Sequence, residues 1–120
     1  MDRPISPHLT IYKPQVTSVM SVLHRASGLV SIAALLWISL LFIAAPYGEQ
    51  RFEAVAGIVF SWPGKVLLAF LALSLFYHLC NGIRHLAWDT ARGLTMPAIR
   101  SSAVWVLAAA VVLTLLVLIV

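Results

Sequence analysis

The stretch His78-Leu79-Cys80-Asn81-Gly82-Ile83-Arg84-His85-Leu86-Ala87-Trp88-Asp89 begins inside an apolar run and ends among charges. An imidazole in a membrane span is expensive and by default points to function. On a helix, His78 and His85 are seven residues apart and lie near one face. Gly82 stands one turn beyond His78 and Ser74 one turn before it, which leaves a low helix surface on both sides of the ring and room for a flat, bulky ligand. The same residues also suit a histidine hydrogen-bonded to a neighbouring helix, with Gly82 there for close packing. Spacing alone leaves both readings open.

The rest of the chain says what that run is. The 120 residues are 62% hydrophobic and 10% charged, with a mean hydropathy of +0.99, which does not suit a soluble fold. The hydrophobicity is concentrated in three runs, residues 26–45, 66–83 and 103–120. Each is about long enough to cross a ~30 Å hydrocarbon core as a helix. The bilayer core offers the backbone no water, so helices are the expected solution. The sequence therefore predicts an all-α membrane protein with three transmembrane helices. It divides into an N-terminal arm, residues 1–17, and a transmembrane domain, residues 18–120.

The net charge of +4 does not indicate nucleic acid, because the basic residues flank the spans rather than cluster on one element. Arg3, Lys13 and Arg25 precede the first span, and Arg84, Arg92 and Arg100 fall between the second and third. The first connection has only Arg51 and Lys65, offset by Glu49 and Glu53. The positive-inside bias places the N-terminus and second connection in the cytoplasm, and the C-terminus on the far side. The helices then run up, down and up. His78 lies six residues before Arg84, so it sits roughly 9 Å deeper than that end of its helix. The unusual polar residues thus gather in the cytoplasmic half of the membrane, facing a cytoplasmic partner. Cys80 is the only cysteine, so no internal disulfide forms. There is also no Cys-x-x-Cys-His, so any haem is held without thioether links.

The arm is polar and interrupted by Pro4, Pro7 and Pro14. It matches neither a signal peptide nor an Arg- and Ser-rich transit peptide. Thr17 or Ser18 is positioned to cap the first helix. Along its first turns Ser21, Arg25 and Gly28 share one face, and His24, Ser27 and Ser31 an adjoining one. Arg25 also suits an interfacial arginine snorkelling to lipid phosphates. However, a Ser-x-x-His-Arg cluster facing lipid would leave several donors unused. Pro46-Tyr47-Gly48 ends the helix, and Phe52, Val55, Ala56 and Val59 then recur at helical spacing, which fits a short helix in the outer interface or an irregular loop. Ser61-Trp62-Pro63 starts the second long helix, which runs until Gly93 breaks it. Thr95-Met96-Pro97 starts the third, which carries no ionisable residue after Arg100 and reads as scaffold.

Arg3-Pro4-Ile5, Ser21-Val22-Leu23-His24-Arg25-Ala26-Ser27 and His78-x-x-x-Gly82-Ile83-Arg84-His85-Leu86-x-Trp88-Asp89 resemble the signatures of the succinate dehydrogenase cytochrome b556 subunit family. The arm Ser6-Pro7-His8-Leu9-Thr10-Ile11-Tyr12 resembles the form in mitochondria and their bacterial relatives. The signatures cover about a third of the chain by count of these residues. The resemblance implies one half of a heterodimeric haem-binding helix bundle in a four-subunit complex that oxidises succinate and reduces quinone. Its partners would be a flavoprotein subunit, an iron–sulfur subunit and a second hydrophobic anchor subunit. The chain alone would not be catalytic. By position, His78 matches the axial ligand of haem b, with the other axial histidine on the partner anchor. His24 and Arg25 match residues near the haem propionates, and Ser21 and Arg25 match the ubiquinone pocket. Asp89 matches an acidic residue beside that arginine, and His85 belongs to the motif without a defined role. The lack of a transit peptide favours a bacterial inner membrane.

Three other readings compete with this one. An anchor of fumarate reductase type would run the electrons in the opposite direction. A small transporter would carry polar residues through the full membrane depth, whereas here the outer half is almost entirely apolar. A purely structural anchor would bind no cofactor.

Overall fold

The computed structural model describes residues 13–119. The arm's first twelve residues, including Arg3 and His8, lie outside them, as does Val120. The described residues form α1 (Val16–Ala44), α2 (Glu49–Val59), α3 (Trp62–Asp89) and α4 (Met96–Ile119), with a single 3-10 turn, Ala45–Tyr47, between the first two. There is no strand among the described residues. Three helical stretches, Val16–Tyr47, Trp62–Asp89 and Met96–Ile119, are long and apolar enough to cross a membrane. This chain is a multi-pass membrane protein. Large apolar side chains such as Leu29 (73% exposed), Phe42 (74%) and Leu35 (67%) lie open on the helix surfaces, which is tolerable only against lipid or another apolar chain.

α3 is the central helix, with α1 packed on one side and α4 on the other. The start of α1, the end of α3 and the start of α4 meet at one end of the bundle. Tyr77 donates to the Met20 carbonyl at 2.9 Å, and Arg84 donates to the Ile99 carbonyl at 3.0 Å. The expected up-down-up order is thereby seen as side-chain contacts. Met20, Tyr77, Ala103, Val106 and Ala110 form the buried core at this end. At the opposite end the short helix is present. It turns Val55, Ala56 and Val59 inward, and Arg51 lies over the Tyr47 ring, 5.6 Å from its centroid.

Several helix ends differ from the sequence reading. α1 begins at Val16 with Gln15 as N-cap and no side-chain cap bond, so neither Thr17 nor Ser18 caps it. The amide of Val19 reaches the Gln15 carbonyl at 3.0 Å, so the first turn closes before either hydroxyl residue. Residues 16 and 17 therefore belong to the helix rather than the arm. Ser61 does cap α3, its hydroxyl accepting from the Gly64 amide at 3.3 Å. Gly64 is required there, because a Cβ would collide with the Val59 carbonyl oxygen. α3 stops at Asp89, ahead of Gly93. Ala91 (φ 58°) takes the left-handed conformation. The amide of Arg92 then bonds the Ala87 carbonyl at 3.3 Å, and that of Ala91 the Trp88 carbonyl at 2.8 Å. This crossed pair closes the helix two residues before the glycine.

Candidate functional site

Both long helices that carry the polar residues extend well past their apolar runs. α1 starts ten residues before residue 26 and α3 ends six residues after residue 83. Beyond its extension, α1 carries serines that bond back along the helix. Ser27 donates to the His24 carbonyl at 2.8 Å, and Ser31 to the Ser27 carbonyl at 2.8 Å. Both serines are buried at the α1–α3 contact.

Against this serine-lined face α3 sets His78. Its Nδ1 lies 3.0 Å from the His24 carbonyl and 3.1 Å from Ser27 Oγ. A carbonyl only accepts, and Ser27 uses its own proton on the His24 carbonyl. Nδ1 must therefore carry a proton, which in the neutral tautomer leaves Nε2 without one. The lone pair then belongs to Nε2, the form of imidazole that binds a metal. Among the described residues, no group of three or more His, Cys, Asp or Glu side chains converges in a way that could hold a metal ion. His78 is thus a single donor atom rather than part of a cage.

The His24 ring lies flat on that of His78, with centroids 4.1 Å apart and planes 8° from parallel. Gly28 makes the approach feasible, while Gly82 leaves only ordinary contact distance. A Cβ on Gly28 would come to 3.1 Å from His78 Cε1, and one on Gly82 to 3.7 Å from His24 Cε1. The low surface that Gly82 and Ser74 provide is therefore occupied by α1. His24 fills the space over Gly82, and Ser74 donates to the Ser27 carbonyl at 3.4 Å. His24 Nδ1 is buried and finds no hydrogen-bond partner among the described residues, an orphan of the kind an anionic acceptor would satisfy.

The ring stack continues toward the end of the bundle. His85 lies 5.2 Å from His24, and Trp88 stands edge-on to His85 at 5.1 Å. Beyond them is a hollow of about 510 Å³ lined by Thr17, Ser18, Ser21, Val22, Arg25, His85 and Trp88. It brings together Ser21, Arg25 and His85 as donors around one space. Arg25 Nε points back to the Ser21 carbonyl at 3.5 Å. Asp89 does not pair with Arg25. Among the described residues neither forms an ion pair, because Arg25 is turned along its own helix.

Sequence reasoning missed the most heavily bonded side chain in this region. Arg84 counts in the charge tally as a flanking residue, yet it is buried (6% exposed) between three helices. Its Nε donates to Ser102 Oγ at 2.9 Å, Nη2 to the Ile99 carbonyl, and Nη1 to Asn81 Oδ1 at 3.3 Å and Met20 Sδ at 3.5 Å. Its Cζ also lies over the Trp88 ring, 4.1 Å from the centroid. A signal was available. Tyr77, Asn81 and Arg84 follow i, i+4, i+7 spacing, a polar stripe about 100° round the helix from that of His78, Gly82 and His85.

Residues 1–117 match the succinate dehydrogenase/fumarate reductase transmembrane subunit family. The chain belongs to that family of membrane-embedded helical subunits. It is 38% identical over 117 residues to the succinate dehydrogenase cytochrome b556 subunit of Rickettsia prowazekii, covering 95% of this chain and 89% of that one. The cytochrome b556 subunit of Paracoccus denitrificans is 34% identical over 119 residues, 99% of this chain and 92% of the relative. The cytochrome b560 subunit of Marchantia polymorpha is 37% identical over 122 residues, 97% and 88% respectively.

Proposed function

We propose that this chain is a membrane anchor of a succinate:quinone oxidoreductase, holding haem b jointly with a second anchor and contributing Ser21 and Arg25 to the quinone site. The relatives named as succinate dehydrogenase cytochrome b subunits support the anchor role. One observation carries the haem assignment. The acceptors on His78 Nδ1 fix its tautomer and leave Nε2 as the atom that would hold the haem iron. The residues around it fit such a group. The unpartnered His24 Nδ1 is matched to a propionate carboxylate, and Arg25 adds a charge for it from the next position on the same helix. When bound, the haem supplies a one-electron carrier between helices.

The rest falls to this chain's own residues. The Ser21 hydroxyl and the Arg25 guanidinium face the hollow at the polar end of the bundle. There they donate to quinone oxygens, which gain negative charge as electrons arrive from the iron–sulfur subunit. His85, on the opposite wall, adds an imidazole N–H to the same space. The positive-inside bias puts this end in the cytoplasm and the C-terminus on the periplasmic side of a bacterial inner membrane. The open apolar faces of α1 and α4 meet lipid and the second anchor subunit.

The test is purification of this chain from its native membrane, followed by a reduced-minus-oxidised absorption spectrum. A low-spin haem b band, with co-purifying flavoprotein and iron–sulfur subunits that pass electrons from succinate to ubiquinone, is expected. A complex that lacks haem absorption overturns the cofactor assignment. Isolation of the chain without those subunits overturns the anchor role.

A further inference from the structure

Arg84 is a costly residue to bury, and among the described residues no carboxylate neutralises it. Its partners are a hydroxyl, a side-chain amide, a carbonyl and a thioether. Tying three helices together does not require a charge. A neutral side chain of similar length would reach the same acceptors without the desolvation cost of an unpaired ion. The contact that needs a planar cation is the one with Trp88. A guanidinium 4.1 Å from the ring centroid is attracted to the indole face and restricts its orientation. Four polar contacts hold the guanidinium, so the indole rests on a fixed support. Trp88 in turn stands edge-on to His85 and lines the hollow that holds Ser21 and Arg25.

We propose that Arg84 is a positioning residue for the quinone site. It fixes Trp88 as one wall of the hollow and, through Trp88, sets the His85 ring that faces the substrate. This role rests on the assignment of the hollow to quinone. Arg84 itself does not touch the substrate, so its effect appears in the quality of binding rather than in an added charge at the reacting oxygens. Loss of the support lets the indole and imidazole sample other rotamers, and the quinone meets a looser pocket.

The experiment uses the assembled complex carrying Arg84→Lys, Trp88→Leu or both, with succinate-driven dye reduction and the haem spectrum checking assembly. Lysine keeps the charge but loses the planar fork, so Arg84→Lys is expected to raise the KM for a short-chain ubiquinone roughly five- to tenfold, with kcat within about twofold. Trp88→Leu is expected to raise it to a similar extent. The double variant is expected to be no worse than Trp88→Leu alone, because the arginine acts through the indole. Independent, multiplying effects in the double variant overturn the proposal, as does an unchanged KM in assembled Arg84→Lys. Should Arg84→Lys not assemble, Ser102→Ala removes one acceptor and keeps the cation, and a KM increase of about two- to threefold is expected. No change in KM there overturns the proposal equally. Ser21→Ala, measured in parallel, separates the two levels. Unchanged quinone turnover in that variant means that the hollow is not the quinone site. Lost turnover there, with flat KM values in the other variants, removes only the role of Arg84.

Discussion

The rings of His24 and His78 lie face to face, 4.1 Å apart and 8° from parallel, although they come from different helices and are 54 residues apart. The backbone of His24 also takes part. Its carbonyl accepts from His78 Nδ1 at 3.0 Å, so one residue both stacks on the neighbouring imidazole and fixes its tautomer. Such a dual contact sets the ring plane and the basicity of Nε2 together.

On the proposed haem assignment, His78→Ala is expected to remove or convert the low-spin haem b spectrum, and His8→Ala to leave it intact. Ser27→Ala is subtler. It removes one of the two acceptors on Nδ1, so the imidazole becomes a poorer donor and the ferric haem loses stabilisation. A potentiometric titration should then give a higher midpoint potential with the spectrum retained. A lower potential in Ser27→Ala would contradict the proposed direction of the hydrogen bond.

The three spans could be read directly because lipid-facing surface leaves a continuous apolar record in the chain. The extensions at the polar end left no such record. At this end Tyr77 reaches the Met20 carbonyl on α1 and Arg84 reaches Ser102 on α4, cross-helix bonds that no single segment encodes. The candidate histidines stood out because an imidazole is foreign to an apolar run. Arg84 did not, since a positive charge at a span end is the ordinary topogenic signal. Its burial depends on Ser102 and Ile99 arriving from α4, a tertiary fact. The Arg25–Asp89 pairing was undone by a local contact instead. The arginine side chain bonds back to the Ser21 carbonyl one turn earlier on its own helix.

Ala91 offers a stability test free of any cofactor. It holds φ at 58° where the α3 cap favours glycine. A side chain in the left-handed region costs about 1–2 kcal/mol, and part of the gain from removing it is offset by the greater freedom of glycine in the unfolded chain. Ala91→Gly should therefore raise stability by up to about 1 kcal/mol, seen as a higher midpoint in thermal inactivation of the purified complex. A lower midpoint would mean that the methyl group has a packing role.

Membrane orientation can be measured without any assumption about the site. Arg84, Arg92 and Arg100 cluster at the end where α3 meets α4, whereas the opposite connection balances Arg51 and Lys65 with Glu49 and Glu53. A reporter inserted at residues 93–100 should read as cytoplasmic, and one fused after Val120 as periplasmic. The opposite pattern in both fusions would place the histidine cluster on the wrong side for a cytoplasmic electron donor.

The most demanding expectation concerns Ser21 and Arg25. They lie one turn apart on α1 and line the same hollow of about 510 Å³ as His85 and Trp88. A serine hydroxyl gives one hydrogen bond to a quinone oxygen, and an arginine adds a fixed positive charge. Removing one preorganised donor from such a site typically costs on the order of 10²-fold in rate. Ser21→Ala and Arg25→Leu should therefore cripple succinate-driven ubiquinone reduction. Electron transfer from succinate to a soluble dye at the flavoprotein should survive in both, because that path does not enter this chain. Arg25→Leu also removes a charge from the neighbourhood of His24, so a shift in its haem spectrum is expected alongside. Ser21→Ala leaves that region intact and isolates the substrate contact. An assembled Ser21→Ala complex with normal quinone turnover and affinity would falsify the role of Ser21, and Arg25 would then be read as a propionate or lipid anchor.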